Sequence, residues 1–203
     1  MKIRLILCDF DCTVTENDTL DILAKIMNKD AESRRINFDY QNGKIDGTTA
    51  IKNRFELIKG LALSKIESAV IPEIELKKGA KEFFLYAKQM QIRSAIISGN
   101  MEFLLASFQK VLEFDEYYCS KVSVDNGRVG TFISMEPKST VAKKIIETGN
   151  YFEDEILAIG DSQTDMDFMK YAKHRFIFGN ATSTVDAIEV ESFDEIKRYM
   201  DKL

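Results

Sequence analysis

Short apolar runs rich in Ile, Leu and Val recur along the chain: "IRLIL" at 3–7, "IRSAIIS" at 92–98, "EILAI" at 155–159 and "RFIF" at 175–178. Their apolar residues do not alternate strictly with polar ones, the pattern of strands covered on both faces, as in a parallel sheet. Between these runs the period changes. In "GAKEFFLYAKQMQ" (79–91) Phe83, Phe84, Ala87 and Met90 fall on one helical face, and in "STVAKKIIETG" (139–149) Val141, Ile145 and Ile146 do the same ahead of a stopping glycine. "DMDFMKYAK" (165–173) and "FDEIKRYMDKL" (193–203) read as further helices. Strand then helix, repeated, predicts an α/β fold, a Rossmann-like three-layer sandwich around a mostly parallel sheet.

Two stretches depart from that alternation. "VSVDNGRVGTFISM" (122–135) sets Asn126-Gly127 between two extended runs, which predicts a small antiparallel β-hairpin flap. Residues 14–75 instead hold four helical pieces in succession, "NDTLDILAKIMN", "DAESRRINFDYQNG", "DGTTAIKNRFELIKGL" and "LSKIESAVIPEI", broken at Asn42-Gly43 and Gly60, with Pro72 near the end. The expected organisation is an α/β core of 1–13 and 76–203, with a helical-bundle cap of 14–75 inserted after the first strand.

Bulk properties narrow the partners. A chain of 203 residues accommodates one core with a modest lobe, and 45% hydrophobic with 30% charged residues is a globular composition. A net charge of -5 argues against nucleic acid, which needs a basic face, and leaves open a small anion held at one focused site. Cys8, Cys12 and Cys119 form no CxxC pair and read as reduced thiols. The first apolar run is too short for a signal-peptide core and no run approaches 18 residues, so the expectation is a cytoplasmic protein with no membrane partner.

The chemistry lies after the strands, because ligands of parallel sheets bind at the carboxyl ends. The first strand leads to Asp9 and Asp11, which as i, i+2 neighbours point the same way while Phe10 packs oppositely. The second leads to Ser98-Gly99-Asn100, and "EILAI" to Gly160-Asp161 with Asp165 four residues on. Converging carboxylates cannot all stay ionised without compensation, and an all-oxygen donor set with no histidine or thiol pattern favours Mg²⁺. Ser98, the N–H groups at the start of the helix from Met101, and Lys138 complete a pocket for a phosphoryl group. Such a pocket suits transfer of phosphoryl to one aspartate followed by hydrolysis, the aspartate two residues on moving the proton. Several of these residues have plainer readings: Asp165 as a helix cap, Asp18 with Asp21 as a capping-box-like pair, Arg54 as a cation flanking the apolar face of Ile51, Phe55 and Ile58. His174 lies away from every motif and is assigned no role.

"DFDCT", a strand ending in "SGN", an isolated Lys138 and "GDSQTD" resemble the four ordered motifs of the haloacid-dehalogenase-type phosphatases, and the insertion after the first motif is most similar to the phosphoserine-phosphatase branch. The resemblance implies Asp9 as nucleophile and Asp11 as general acid/base. It implies Ser98, Gly99 and Lys138 around the phosphate, and Asp9, Asp11 (through its carbonyl) and Asp161 around Mg²⁺, with Asp165 in support. It also implies Asp18 and Arg54 as readers of the amine and carboxylate of phosphoserine, the best-guess substrate. Within that pattern Asp18 stands for glutamate, Gly47 for an aromatic, Asn100 for glycine and Thr164 for asparagine. "GDSQTD" is also similar to phosphatases of methylthio-sugar phosphates in methionine salvage, and a phosphotransferase could use the same site.

Overall fold

The computed structural model describes residues 2–179 and 186–203. Seven strands form one sheet: β1 (Leu5–Cys8), β2 (Arg93–Met101), β3 (Glu116–Asp125), β4 (Arg128–Ser134), β5 (Ile156–Gly160), β6 (His174–Phe178) and β7 (Ile188–Val190), in the order β4-β3-β2-β1-β5-β6-β7. Every neighbouring pair is parallel except β3 and β4. The sheet separates two apolar clusters. Ile6, Cys8 and Phe10 face Phe83, Phe84, Leu104 and Phe193, from α5 (Ala80–Gln89), α6 (Glu102–Leu112) and α9 (Phe193–Met200). Leu5 and Leu7 face Val141, Ile145, Phe168 and Met169, from α7 (Lys138–Gly149) and α8 (Met166–Met169). Alternate residues of β1 thus serve opposite layers, and the strand is apolar throughout because both of its faces are covered.

The helical stretch becomes α1 (Thr19–Ile26), α2 (Asp30–Gln41), α3 (Gly47–Ile58) and a run that begins as α4 (Leu63–Lys65) and continues as a π-turn at Ile66–Val70 and a 3₁₀ turn at Ile71–Glu73. Where it leaves and rejoins the sheet layer the chain lies side by side: Glu16 N–H donates to the Glu75 carbonyl at 2.9 Å, and Lys77 N–H to Val14 at 2.9 Å. The hairpin turns at Asn126-Gly127, both with positive φ (50° and 70°), as a tight two-residue turn requires.

The expected antiparallel hairpin forms between 121–125 and 128–134, and its first strand is longer than expected: β3 begins at Glu116 and pairs in parallel with β2 before the hairpin. One expectation needs correction and one strand is added. Met90, placed on the buried face of α5, is 42% exposed at the C-cap. The edge strand β7 is an addition, three residues long.

Candidate active site

The carboxyl ends of β1, β2 and β5 deliver the site, and each does so through a local device. After β1, Asp9 N–H donates to Ile159 (3.0 Å), extending the β1–β5 pairing by one residue. The loop then folds tightly, with the N–H groups of Thr13, Val14 and Thr15 all turned to the Phe10 carbonyl and Cys12 in the left-handed region (φ 60°). Phe10 is fully buried against Phe108, which holds Asp9 and Asp11 on the opposite side. At the end of β2, Ile97 pairs with Tyr118 and Met101 with Ser120, so Ser98, Gly99 and Asn100 bulge opposite the single residue Cys119. Ser120 Oγ fixes the bulge by donating to the Gly99 carbonyl at 2.6 Å. At the end of β5, Asp165 folds back beneath the strand so closely that a Cβ on Gly160 would stand 2.4 Å from its own Cβ.

These devices bring Asp9, Asp161 and Asp165 together. One oxygen from each lies within 4.8 Å of the others. Lys138, the first residue of α7, donates to Asp9 Oδ1 at 2.5 Å and to Asp165 Oδ1 at 2.7 Å. Asp165 is wholly buried, and its other oxygen accepts from Asp161 N (3.1 Å), Ser162 N (3.0 Å) and Ser162 Oγ (2.8 Å). Thr13 Oγ1 lies 3.3 Å from Asp9 Oδ2 and 3.4 Å from Asp161 Oδ1. Ser98 is buried beside this group and its Oγ accepts from Asn100 N at 3.0 Å, which leaves its own O–H to donate to an anion.

The electrostatics of the three acids are unequal. Burial, outweighing the pull of Lys138 and joined by repulsion from Asp165 and Asp11, raises the Asp9 carboxyl to about 7. Burial followed by repulsion from Asp9 and Asp165 raises Asp161 to about 9. Burial would raise Asp165 too, but Lys138 and the Ser162 donors outweigh it and hold it below its ordinary value. Burial would depress Lys138; Asp165 and Asp9 instead keep it above the ordinary lysine value. One lysine thus faces three carboxylates, an excess of negative charge that a bound cation would offset. An all-oxygen, anionic donor set fits a hard metal ion.

Asp11 stands apart from the three. Its carboxylate turns to Thr19, receiving both the backbone N–H (2.9 Å) and the side-chain hydroxyl, and to Asn100 Nδ2 (3.0 and 3.3 Å). The expectation that the start of the helix after β2 offers free N–H groups is corrected at its first position, since Met101 N–H is taken by Asn100 Oδ1 at 2.8 Å. Gly99 faces the helical stretch: a Cβ there would meet Ile51 Cδ1 at 2.8 Å and Met135 Sδ at 3.7 Å, so glycine is what lets α3 approach.

Asp18 caps α1, accepting from Leu20 N (3.0 Å) and Asp21 N (3.3 Å), and it also accepts from Arg54 Nη2 at 2.6 Å. The capping reading of Asp18 therefore holds, and the bond to Arg54 is a further contact that the sequence did not predict. Arg54 is 5% exposed; it bonds Asp21 (2.9 Å) and Ser33 Oγ (3.0 Å) as well, and no longer reads as a flanking surface cation. Thr13, Thr19 and Tyr40 escaped the sequence reading. The Tyr40 ring lies 3.4 Å from where a Cβ on Gly47 would be, and its phenol, raised by burial, also feels Lys138 and Asp165. His174 is structural, bonded to Tyr199 Oη (2.8 Å) and the Asp154 carbonyl (3.3 Å). A cleft of about 660 Å³ reaches Ser98 and Lys138 from the side of β3 and β4, past Met101, Tyr117, Cys119 and Met135. No helix among the described residues is long and apolar enough to cross a membrane.

Residues 6–170 match the family model of haloacid dehalogenase-like hydrolases. The phosphoserine phosphatase of Methanocaldococcus jannaschii is 26% identical over 182 residues, covering 87% of this chain and 86% of that protein. The 2-hydroxy-3-keto-5-methylthiopentenyl-1-phosphate phosphatase of Bacillus pumilus is 25% identical over 218 residues, covering 100% and 93%. Among solved structures, a substrate-bound phosphoserine phosphatase complex superposes with a TM-score of 0.85 at 23% identity, covering 98% of this chain and 99% of that one.

Proposed function

The chain belongs to the haloacid dehalogenase-like hydrolases, and from that premise we propose that it hydrolyses the phosphomonoester of a small metabolite, phosphoserine before others, through a phospho-aspartate at Asp9. The observation that carries this reading is Asp9 itself: a buried carboxylate at a strand end, one oxygen held by Lys138 at 2.5 Å, with Ser98 and two further acids alongside. In the first step an Asp9 oxygen bonds to phosphorus as the bond from phosphorus to the substrate oxygen breaks, and Asp11 gives that oxygen a proton. In the second, Asp11 takes a proton from water as the water oxygen bonds to phosphorus and the acyl-phosphate bond breaks, restoring Asp9. Lys138 and Ser98 bind and orient the phosphoryl oxygens. Asp9 and Asp161, with the Asp11 carbonyl, would hold Mg²⁺ and Asp165 would support them; when bound the ion offsets phosphoryl charge and aligns it.

Residues 14–75 act as a cap over a core of 1–13 and 76–203, closing the site with Thr19, Tyr40 and Ile51. To Asp18 and Arg54 we assign the reading of the amine and carboxylate of phosphoserine, and the likeness to the M. jannaschii phosphoserine phosphatase supports that substrate. The full-length likeness to the B. pumilus enzyme, together with the apolar contact of Ile51 and Met135 at Gly99, favours a methylthio-sugar phosphate as the second reading. Free Cys8, Cys12 and Cys119 agree with a cytoplasmic setting.

A panel of phosphorylated metabolites with Mg²⁺, including phosphoserine and with an acceptor alcohol present, tests the reading. Release of phosphate from phosphoserine is expected, falling at least about a thousandfold in Asp9→Asn. Unchanged turnover in Asp9→Asn would reject the nucleophile, and transfer to the alcohol in place of release would make the protein a phosphotransferase.

A further inference from the structure

Asn100 is wholly buried in the β2 bulge, and its polar groups reach residues on both sides of the reacting centre. Its Nδ2 lies 3.0 Å from Asp11 Oδ2 and 3.3 Å from Oδ1, and also bonds Thr19 Oγ1. Its Oδ1 accepts from Met101 N–H at 2.8 Å. That last bond fixes which way the amide points. Turned over, the amide would set its oxygen against the Asp11 carboxylate and its NH₂ against a backbone N–H, two like pairs in a buried site. The backbone N–H of the same residue donates to Ser98 Oγ. One residue thus ties the carboxylate expected to move the proton to the hydroxyl expected to hold the phosphate.

We propose that Asn100 is a positioning residue that holds the Asp11 carboxyl in line for proton exchange with the leaving-group oxygen. The inference rests on the role given to Asp11 above. Thr19 grips the Asp11 carboxylate from α1, and Asn100 grips it from the sheet layer. Without the amide, Asp11 is held from α1 alone and is free to turn away with it. A side chain shorter than asparagine in the bulge supplies no donor there. Misplacement of a proton donor costs most where the leaving oxygen departs as a poorly stabilised alkoxide, and least where it departs as a nitrophenolate that needs no proton.

The test compares kcat/KM for an alkyl phosphate, phosphoserine, with that for p-nitrophenyl phosphate, with Mg²⁺, in wild type, Asn100→Ala and Asp11→Asn. Asp11→Asn is expected to lower the alkyl-to-aryl ratio by about a hundredfold and Asn100→Ala by about tenfold. A discriminating Asp11→Asn beside an Asn100→Ala that loses both substrates equally, or neither, would overturn the inference while leaving the reading of Asp11 intact. An Asp11→Asn that loses both equally would overturn the reading of Asp11 and this inference with it. Turnover of the aryl ester reports that each variant has folded. Should Asn100→Ala not fold, Asn100→Ser, too short to bond Asp11, is judged by the same ratio.

Discussion

At the scale of single residues, Lys138 shows how far position in sequence falls short of role. Nothing in "EPKST" sets this lysine apart from a surface one; Lys138 is half-buried because α7 starts at that residue, facing Asp9 and Asp165. Removing one partner of a buried, hydrogen-bonded ion cluster leaves uncompensated charge, which costs about 3–5 kcal/mol. Lys138→Met, similar in length but neutral, is therefore expected to lose several kcal/mol in urea unfolding of the metal-free protein and to lose turnover. Stability equal to wild type would show that the acids do not depend on it. The acids themselves were legible, since Asp9, Asp11, Asp161 and Asp165 sit at fixed offsets from apolar runs and strand ends define where ligands bind. Thr13, Thr19 and Asn100 were not legible as partners, because their contacts arise from a tight loop, a helix start and a three-residue bulge, whose geometry leaves no periodic trace.

At the scale of elements, Arg54 bolts three helices together. From α3 it reaches Asp21 on α1, Asp18 at the head of α1, and Ser33 on α2. Its planar fork presents donors from separate nitrogens, Nε and Nη2, to acceptors on different helices, a spread that a lysine's single ammonium does not reproduce. Arg54→Ala is expected to lower stability by about 3 kcal/mol in urea unfolding, with Arg54→Lys recovering only part of it. A full recovery by lysine would mean that charge alone matters there. A substrate reading for Arg54 must therefore be judged on folded variants, where loss on phosphoserine should exceed loss on an aryl phosphate. The four helical pieces were legible because their caps and glycine breaks are local signals, and Asp18 and Asp46 do cap α1 and α3. β3 hid because its first half, "EYYCS", has neither a continuous apolar run nor clean alternation; its place is set by tertiary pairing with β2.

At the scale of the whole molecule, the acidic centre links folding to pH and to metal. Asp9 and Asp161 have ordinary values of 3.8 and are raised in the folded, metal-free protein to about 7 and about 9. A carboxyl raised on folding binds its proton more tightly folded than unfolded. Its stabilising effect is complete below about pH 4 and is lost as pH climbs through the folded value, at up to about 1.4 kcal/mol per group for each pH unit. Lys138, held above its ordinary value, stays charged across this window, and the depressed Asp165 contributes in the opposite sense only at still lower pH. A divalent cation held by these carboxylates would compete with those protons and add stability by mass action, about 2.7 kcal/mol at a hundredfold excess over Kd. Thermal unfolding in EDTA is therefore expected to show a Tm that falls from pH 5 to pH 8, and saturating Mg²⁺ to flatten the fall, its stabilising increment growing with pH. An increment that is the same at pH 5 and pH 8 would place the ion away from these carboxylates, because only a site that exchanges protons for metal makes the two ligands compete.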